Sequence, residues 1–254
     1  MGRRCVKYPS RLLFVELRRT AFSEEIERLF ARDIAQTPGV DVRTYVGDIS
    51  TMPRDGNSRF VFVSPGNSLG FMDGGIDRVY SRTMFPGCER SVKDKIRALG
   101  LTTDLGRPYL PVGSAVVVKH PEHPNFVDSV PSPFPKTFLI AAPTMFLPHD
   151  VSSTRNAYHA FSAVSNVFAS CSDIPSDAIL VCPDLCCGYG RMDPRESARQ
   201  VFQAYIDHYS QKKNDAERRT TDDTVYIGVN RDAEQPDNFD NREIKNVPLT
   251  TTFR

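Results

Sequence analysis

Two stretches of this sequence combine glycine with polar residues in a way suited to gripping an anion: Ser64 to Asp77 and Pro183 to Pro194. The first holds Asn67, Gly70 and then Gly74-Gly75-Ile76-Asp77, and a double glycine lets backbone approach a ligand that any Cβ would push away. Its end reads as a helix start, where free N–H groups favour a phosphate and the dipole alone contributes ~0.3–1 kcal/mol. The second, Pro183-Asp184-Leu185-Cys186-Cys187-Gly188-Tyr189-Gly190-Arg191-Met192, also joins a strand to a helix. It lacks the Lys-Ser/Thr ending of a P-loop and the third glycine of a dinucleotide fingerprint. Either loop alone reads as a tight turn. Together they are two candidate phosphate cradles.

Other reactive residue types point to less. A thiol near a helix N-terminus has a lowered pKa and can act as a nucleophile, which brings Cys186 and Cys187 into view. No histidine is placed by sequence to serve them, and cysteine commonly packs as a small hydrophobe. The six cysteines do not repeat at the spacing of a zinc ligand set, so neither a metal nor a cofactor is expected. His120, His123, His149, His159 and His208 are scattered, and surface or helix-face roles are expected for each.

The loops need a scaffold. Leu12 to Leu17 reads as a strand, followed by a helix from an N-cap at Ser23 to about Ala35. Val40, Val42, Thr44 and Val46 give a further strand ending at Gly47, and Phe60-Val61-Phe62-Val63, apolar throughout, gives a central strand running into Ser64. A helix is expected near Ile76, and another carries Val92, Ile96 and Leu99 and stops at Gly100. Ala115–Val118, Phe138–Ala142, Ala178–Cys182 and Thr224–Val229 read as strands. A helix capped at Ser153 or Thr154 presents Ala157, Phe161, Val164 and Phe168. The last long helix opens at Asp193-Pro194, an acidic cap followed by proline at the first helical position. Alternating strands and helices imply a mixed, largely parallel sheet covered on both faces, with ligands beyond the strands' carboxyl ends.

With 254 residues, 40% of them hydrophobic and 25% charged, the chain has the composition of an ordinary globular protein. Its 32 basic and 31 acidic side chains leave a net charge of +1, so nothing global attracts nucleic acid or a membrane, and neither partner is expected. No apolar run reaches the ~20 residues of a membrane span. A cytoplasmic or nuclear, non-secreted location is the expectation. Prolines 121, 124, 131, 133 and 135 mark residues 121–136 as an insertion, and residues 230–254 read as a loosely ordered tail.

Gly47-Asp48-Ile49-Ser50, then Asn67 through Gly74-Gly75-Ile76-Asp77, then Gly188 before the last helix resemble, in order, the signature of the macrodomain family. The resemblance spans roughly residues 40–209. Ser64-Pro65-Gly66-Asn67-Ser68 with Ala141-Ala142-Pro143-Thr144-Met145 looks like a divergent, macrodomain-like branch. It implies a three-layer α/β/α fold with a mixed central sheet over residues 1–229, and a site for ADP-ribose or a derivative, with an ADP-ribosylated protein as a further partner.

By this resemblance Asp48 accepts from the adenine amino group and Ile49 lends its N–H. Asn67 orients the distal ribose, its amide donating to one hydroxyl and accepting from another, and Gly74, Gly75 and Ile76 approach the ligand. Cys187, Gly188, Tyr189 and Gly190 give N–H groups to the diphosphate and the distal ribose. Asp77, ten residues after Asn67, matches an aspartate that positions or activates water in hydrolytic members, so Asn67 and Asp77 are the catalytic candidates. Hydrolysis of ADP-ribose 1″-phosphate, or release of ADP-ribose from an ester on a protein, is one implied activity. A non-catalytic reader and a degenerate fold kept for protein contact are the alternatives. Gly190 stands where many relatives carry a large aromatic, which predicts a less enclosed distal-ribose end.

Overall fold

The strands follow the β-branched and aromatic runs of the sequence. In the computed structural model, which describes residues 8–32, 39–53, 58–119 and 137–217, they are β1 (Arg11–Glu16), β2 (Asp41–Val46), β3 (Phe60–Ser64), β4 (Val116–Lys119), β5 (Phe138–Ala141) and β6 (Ile179–Pro183). They form one sheet in the order β2-β1-β6-β3-β5-β4. Every described pairing is parallel except β4 against β5, so the sheet is mixed. The residues of β3 and β5 are buried throughout, as strands covered on both faces must be.

Side-chain alternation divides the core in two. On one face, Phe14 of β1, Val61 and Val63 of β3, Ile140 of β5 and Leu180 of β6 pack against α1 (Ala21–Arg32), α4 (Asn156–Ser170) and α5 (Pro194–Glu217). On the other, Val15, Phe62, Leu139 and Val181 meet α2 (Gly75–Val79), a π-helical turn (Tyr80–Met84) and α3 (Cys88–Ala98). The result is a three-layer α/β/α fold. Each fully buried phenylalanine here, such as Phe14, Phe22, Phe62 and Phe161, contributes about 1.5–3 kcal/mol by leaving water.

Helix starts follow local hydrogen bonding. α1 begins at Ala21, not after Ser23, because Thr20 Oγ accepts from Phe22 N–H (3.1 Å) while Thr20 is itself gripped by the buried Glu16. Its expected end near Ala35 lies outside the described residues. Before α4, Thr154 Oγ accepts from Asn156 N–H (3.2 Å), and Asp193 Oδ1 caps α5 through Arg195 and Glu196 N–H. Gly100, in the left-handed region at φ +71°, follows α3. His159 and His208 are buried on α4 and α5, and His149 meets Leu147 O. The Pro-rich segment 121–136, the strand expected at Thr224–Val229, the tail, His120 and His123 all lie outside the described residues.

β1 pairs with β2 on one side and β6 on the other, so the sheet extends well before residue 40. Among the described residues no helix is long and apolar enough to cross a membrane.

Candidate functional site

Beyond the carboxyl ends of the five parallel strands lies a cleft of about 590 Å³, within the ~300–1,000 Å³ usual for small-molecule sites. Asp48, Ile49, Asn67, Gly74, Gly75, Ile76, Asp77, Cys187, Gly188, Tyr189 and Gly190 all lie on its lining. Residues far apart in sequence therefore share one concave surface.

The loop after β3 is held by the segment after β5. Ala142 N–H donates to Ser64 O (2.9 Å), Thr144 N–H to Gly66 O (3.1 Å) and Ser68 N–H to Met145 O (2.9 Å). Thr144 Oγ adds a bond to Pro65 O (2.9 Å). Asn67 closes this loop on itself: its Oδ1 accepts from Leu69 and Phe71 N–H, and its Nδ2 donates to Phe71 O. The amide keeps one N–H for a ligand, so the expected pairing, in which it both donates and accepts, is reduced to donation.

The loop after β6 is pinned at its ends. Met192 N–H donates to Cys186 O, Arg191 N–H to Gly188 O, and Ser197 Oγ to Leu185 O. Cys186 and Arg191 sit at φ 66° and 53°, left-handed positions costly for non-glycine residues. Between them, the N–H groups of Cys187, Gly188, Tyr189 and Gly190 bond to no other described residue. Gly190 itself is buried, and a Cβ there would stand 2.5 Å from Cys186 O and 2.7 Å from Val151 Cγ2. The expectation of an opening at residue 190 is therefore corrected. Its bare α-carbon lets the loop close onto residue 151, and Tyr189, 60% exposed, supplies an aromatic ring at the mouth.

The lining is acidic: Glu16, Asp48, Asp73, Asp77 and Asp184 are on it, and among the described residues neither lysine nor arginine is. Most of that charge is moderated. Asp73 pairs with Arg82 (3.2 Å), and both Glu16 oxygens are taken by Thr20. Burial pushes the Asp77 carboxyl up to about 7, against a 2.6 Å bond from Ser64 Oγ to Oδ1 that favours the charged form. Burial, reinforced by the charge of Glu16, pushes Asp184 up to about 6. Asp48, exposed, goes the other way, held down by the Ser50 hydroxyl and N–H on its Oδ1. It is the lining carboxylate best suited to remain an ionised acceptor.

Burial pushes the thiol of Cys186 up to about 12 and that of Cys187 higher still, which favours packing over nucleophilic attack. Among the described residues no group of three or more His, Cys, Asp or Glu side chains is placed to hold a metal ion.

Several lining residues went unassigned at the level of sequence. Glu16 is the last residue of β1, and Leu17 and Asp184 follow the ends of β1 and β6, whose register pairs Val15 with Pro183 and so sets the two acids side by side. The available signal was the rule that ligands gather at parallel strand ends. Leu17, 71% exposed, adds an apolar surface next to the Asp48 end.

No protein-family model matches the chain, and no curated protein matches it in sequence. Among solved structures it is similar to an Oceanobacillus iheyensis macrodomain with MES bound, with a TM-score of 0.45 and 13% identity, covering 65% of this chain and 75% of that one. A mutant of the same macrodomain with ADPR gives a TM-score of 0.45 and 13% identity, covering 68% and 90%. Thermosipho africanus DarTG in complex with ADP-ribose gives 0.41 and 14%, covering 72% of this chain and 47% of that one.

Proposed function

We propose that the cleft binds ADP-ribose or a derivative of it, as the sequence resemblance to macrodomains implies. The observation that carries this reading is that residues Cys187 to Gly190, whose N–H groups bond to no other described residue, line the same cleft as Gly74 and Gly75. With no lysine or arginine among the described lining residues, a diphosphate has backbone donors as its partners, as in anion-binding loops generally. Asp48 accepts from the adenine amino group at the other end, beside the exposed face of Leu17.

Within this reading Asp77 is the group suited to hydrolysis. A carboxyl titrating near 7 is poised to take a proton from water at neutral pH, and the bound ribose phosphate or ribosyl ester would be the electrophile. Release of the 1″-phosphate or of ester-linked protein would follow. The rival is a reader that binds without turnover, and the self-engaged Asn67 amide favours it, since it leaves the distal ribose one donor where the resemblance predicts two contacts. Calorimetric titration with ADP-ribose tests binding. Turnover of ADP-ribose 1″-phosphate and of ester-linked ADP-ribosyl protein, compared with Asp77→Ala, separates the two: loss in the variant supports hydrolysis, and no turnover by the parent leaves the reader.

A further inference from the structure

Asp77, a buried residue on the cleft lining, is fixed through one carboxylate oxygen, and its other oxygen faces Gly66. Ser64, the last residue of β3, is 1% exposed, and its hydroxyl donates to Asp77 Oδ1 across 2.6 Å. Ser64 is held by the sheet: it pairs with Ala141 of β5, and its carbonyl accepts from Ala142. The bond therefore ties the carboxylate to the central sheet. Oδ2 lies under residue 66, where an added Cβ would sit 3.2 Å from it. Gly66 is half-buried on the cleft lining, so its missing side chain is what keeps that oxygen approachable.

We infer that Ser64 is a positioning residue that holds Asp77 through Oδ1, so that Oδ2, reached over the bare α-carbon of Gly66, is the oxygen that meets the ligand or its water. The inference rests on the ADP-ribose reading for the identity of the ligand alone. The groups around Asp77 leave Ser64 in control of it. Tyr80, at the end of α2, and Cys88, from α3, both sense the Asp77 charge, and burial pushes them upward, Cys88 to about 12, so both stay neutral at physiological pH. Among the described residues no lysine, arginine or histidine acts on Asp77.

The test is the titration of the Asp77 carboxyl carbon by NMR in the ligand-free full chain, assigned with Asp77→Asn. Ser64→Ala is expected to move the titration to higher pH by about one pH unit, because a hydrogen bond to the charged form is lost. Gly66→Ala is expected to move it upward as well, by shielding Oδ2 from water, and to weaken ADP-ribose binding by about tenfold or more. Should Ser64→Ala fail to fold, Ser64→Cys preserves the shape with a weaker donor and is expected to titrate above the parent. A Ser64 variant that titrates like the parent overturns the positioning role, and a Gly66→Ala protein that titrates and binds like the parent overturns the role of Oδ2. If both titrations move but the parent does not bind ADP-ribose, the ligand reading fails and the positioning stands.

Discussion

The ring of Tyr189 lies against Gly74, its Cε2 3.3 Å from where a Cβ on residue 74 would stand, so the loop after β6 touches the loop after β3 across the mouth of the cleft. Tyr189 is nonetheless 60% exposed, which marks it as a cover more than a core residue. Removing a cover speeds escape more than it slows entry. Tyr189→Ala is expected to raise the ADP-ribose dissociation rate by about tenfold with little change in thermal stability, and stopped-flow displacement measures it. Unchanged dissociation would mean that the ring does not enclose the ligand.

Asp48 both caps the short turn Ile49–Thr51 and offers an acceptor to the cleft. Asparagine caps about as well as aspartate, so Asp48→Asn should keep the fold while replacing an ionised acceptor. A charge-assisted hydrogen bond contributes about 1.5–3 kcal/mol, so ADP-ribose affinity should fall by about ten- to a hundredfold. Calorimetry of the variant, with a melting curve beside it, checks both halves. Equal affinity would remove Asp48 from the adenine end.

Asp77 makes stability depend on pH with a definite sign. Its carboxyl titrates near 7 when folded and near 3.8 when free, so the folded state binds the proton more tightly. That contribution is fully present below pH ~4 and is lost as pH rises through about 7. Asp77→Asn lacks the loss and leaves the similarly raised Asp184 untouched. Between pH 5 and pH 8 the variant should therefore gain on the parent by on the order of 2–3 kcal/mol, read from urea melts at the two pH values. Parallel profiles would show that Asp77 does not titrate in this window.

At Gly190 packing leaves no room for a side chain. A methyl group there meets Cys186 O and Val151 Cγ2 inside van der Waals distance and disturbs the bond from Val151 N–H to Gly190 O (3.0 Å). Gly190→Ala should cost about 1–3 kcal/mol of stability and abolish measurable ADP-ribose binding, because the N–H groups of Cys187 to Gly190 would lose their arrangement. Retained binding would detach the ligand from this loop.

The scaffold was largely legible because its signals are local. Apolar runs such as Phe60–Val63 and Phe138–Ala142 are strands in any context that covers both their faces, and Asp193-Pro194 marks a helix start by itself. What escaped depends on register. Glu16 and Asp184 become neighbours through the pairing of Val15 with Pro183, and Ser64 meets Asp77 once β3 and α2 have docked. The start of α1 escaped because Glu16 holds Thr20, a contact that ties the helix to the strand before it. Gly190 was misread for a related reason: the atoms that fill the place of its side chain belong to Cys186 and to Val151, far away in the chain.

The acidic lining gives the central claim its sharpest test, since a cleft whose described lining has five carboxylates and no lysine or arginine should reject a diphosphate unless the N–H groups of Cys187–Gly190 hold it. The measurement is calorimetric titration of the full chain with ADP-ribose at pH 6 and pH 8. One-site binding is predicted at both, weaker at pH 8 by severalfold, because Asp77 and Asp184 ionise between them and add negative charge beside the ligand. Absence of heat and of any thermal shift at millimolar ADP-ribose at either pH would contradict it.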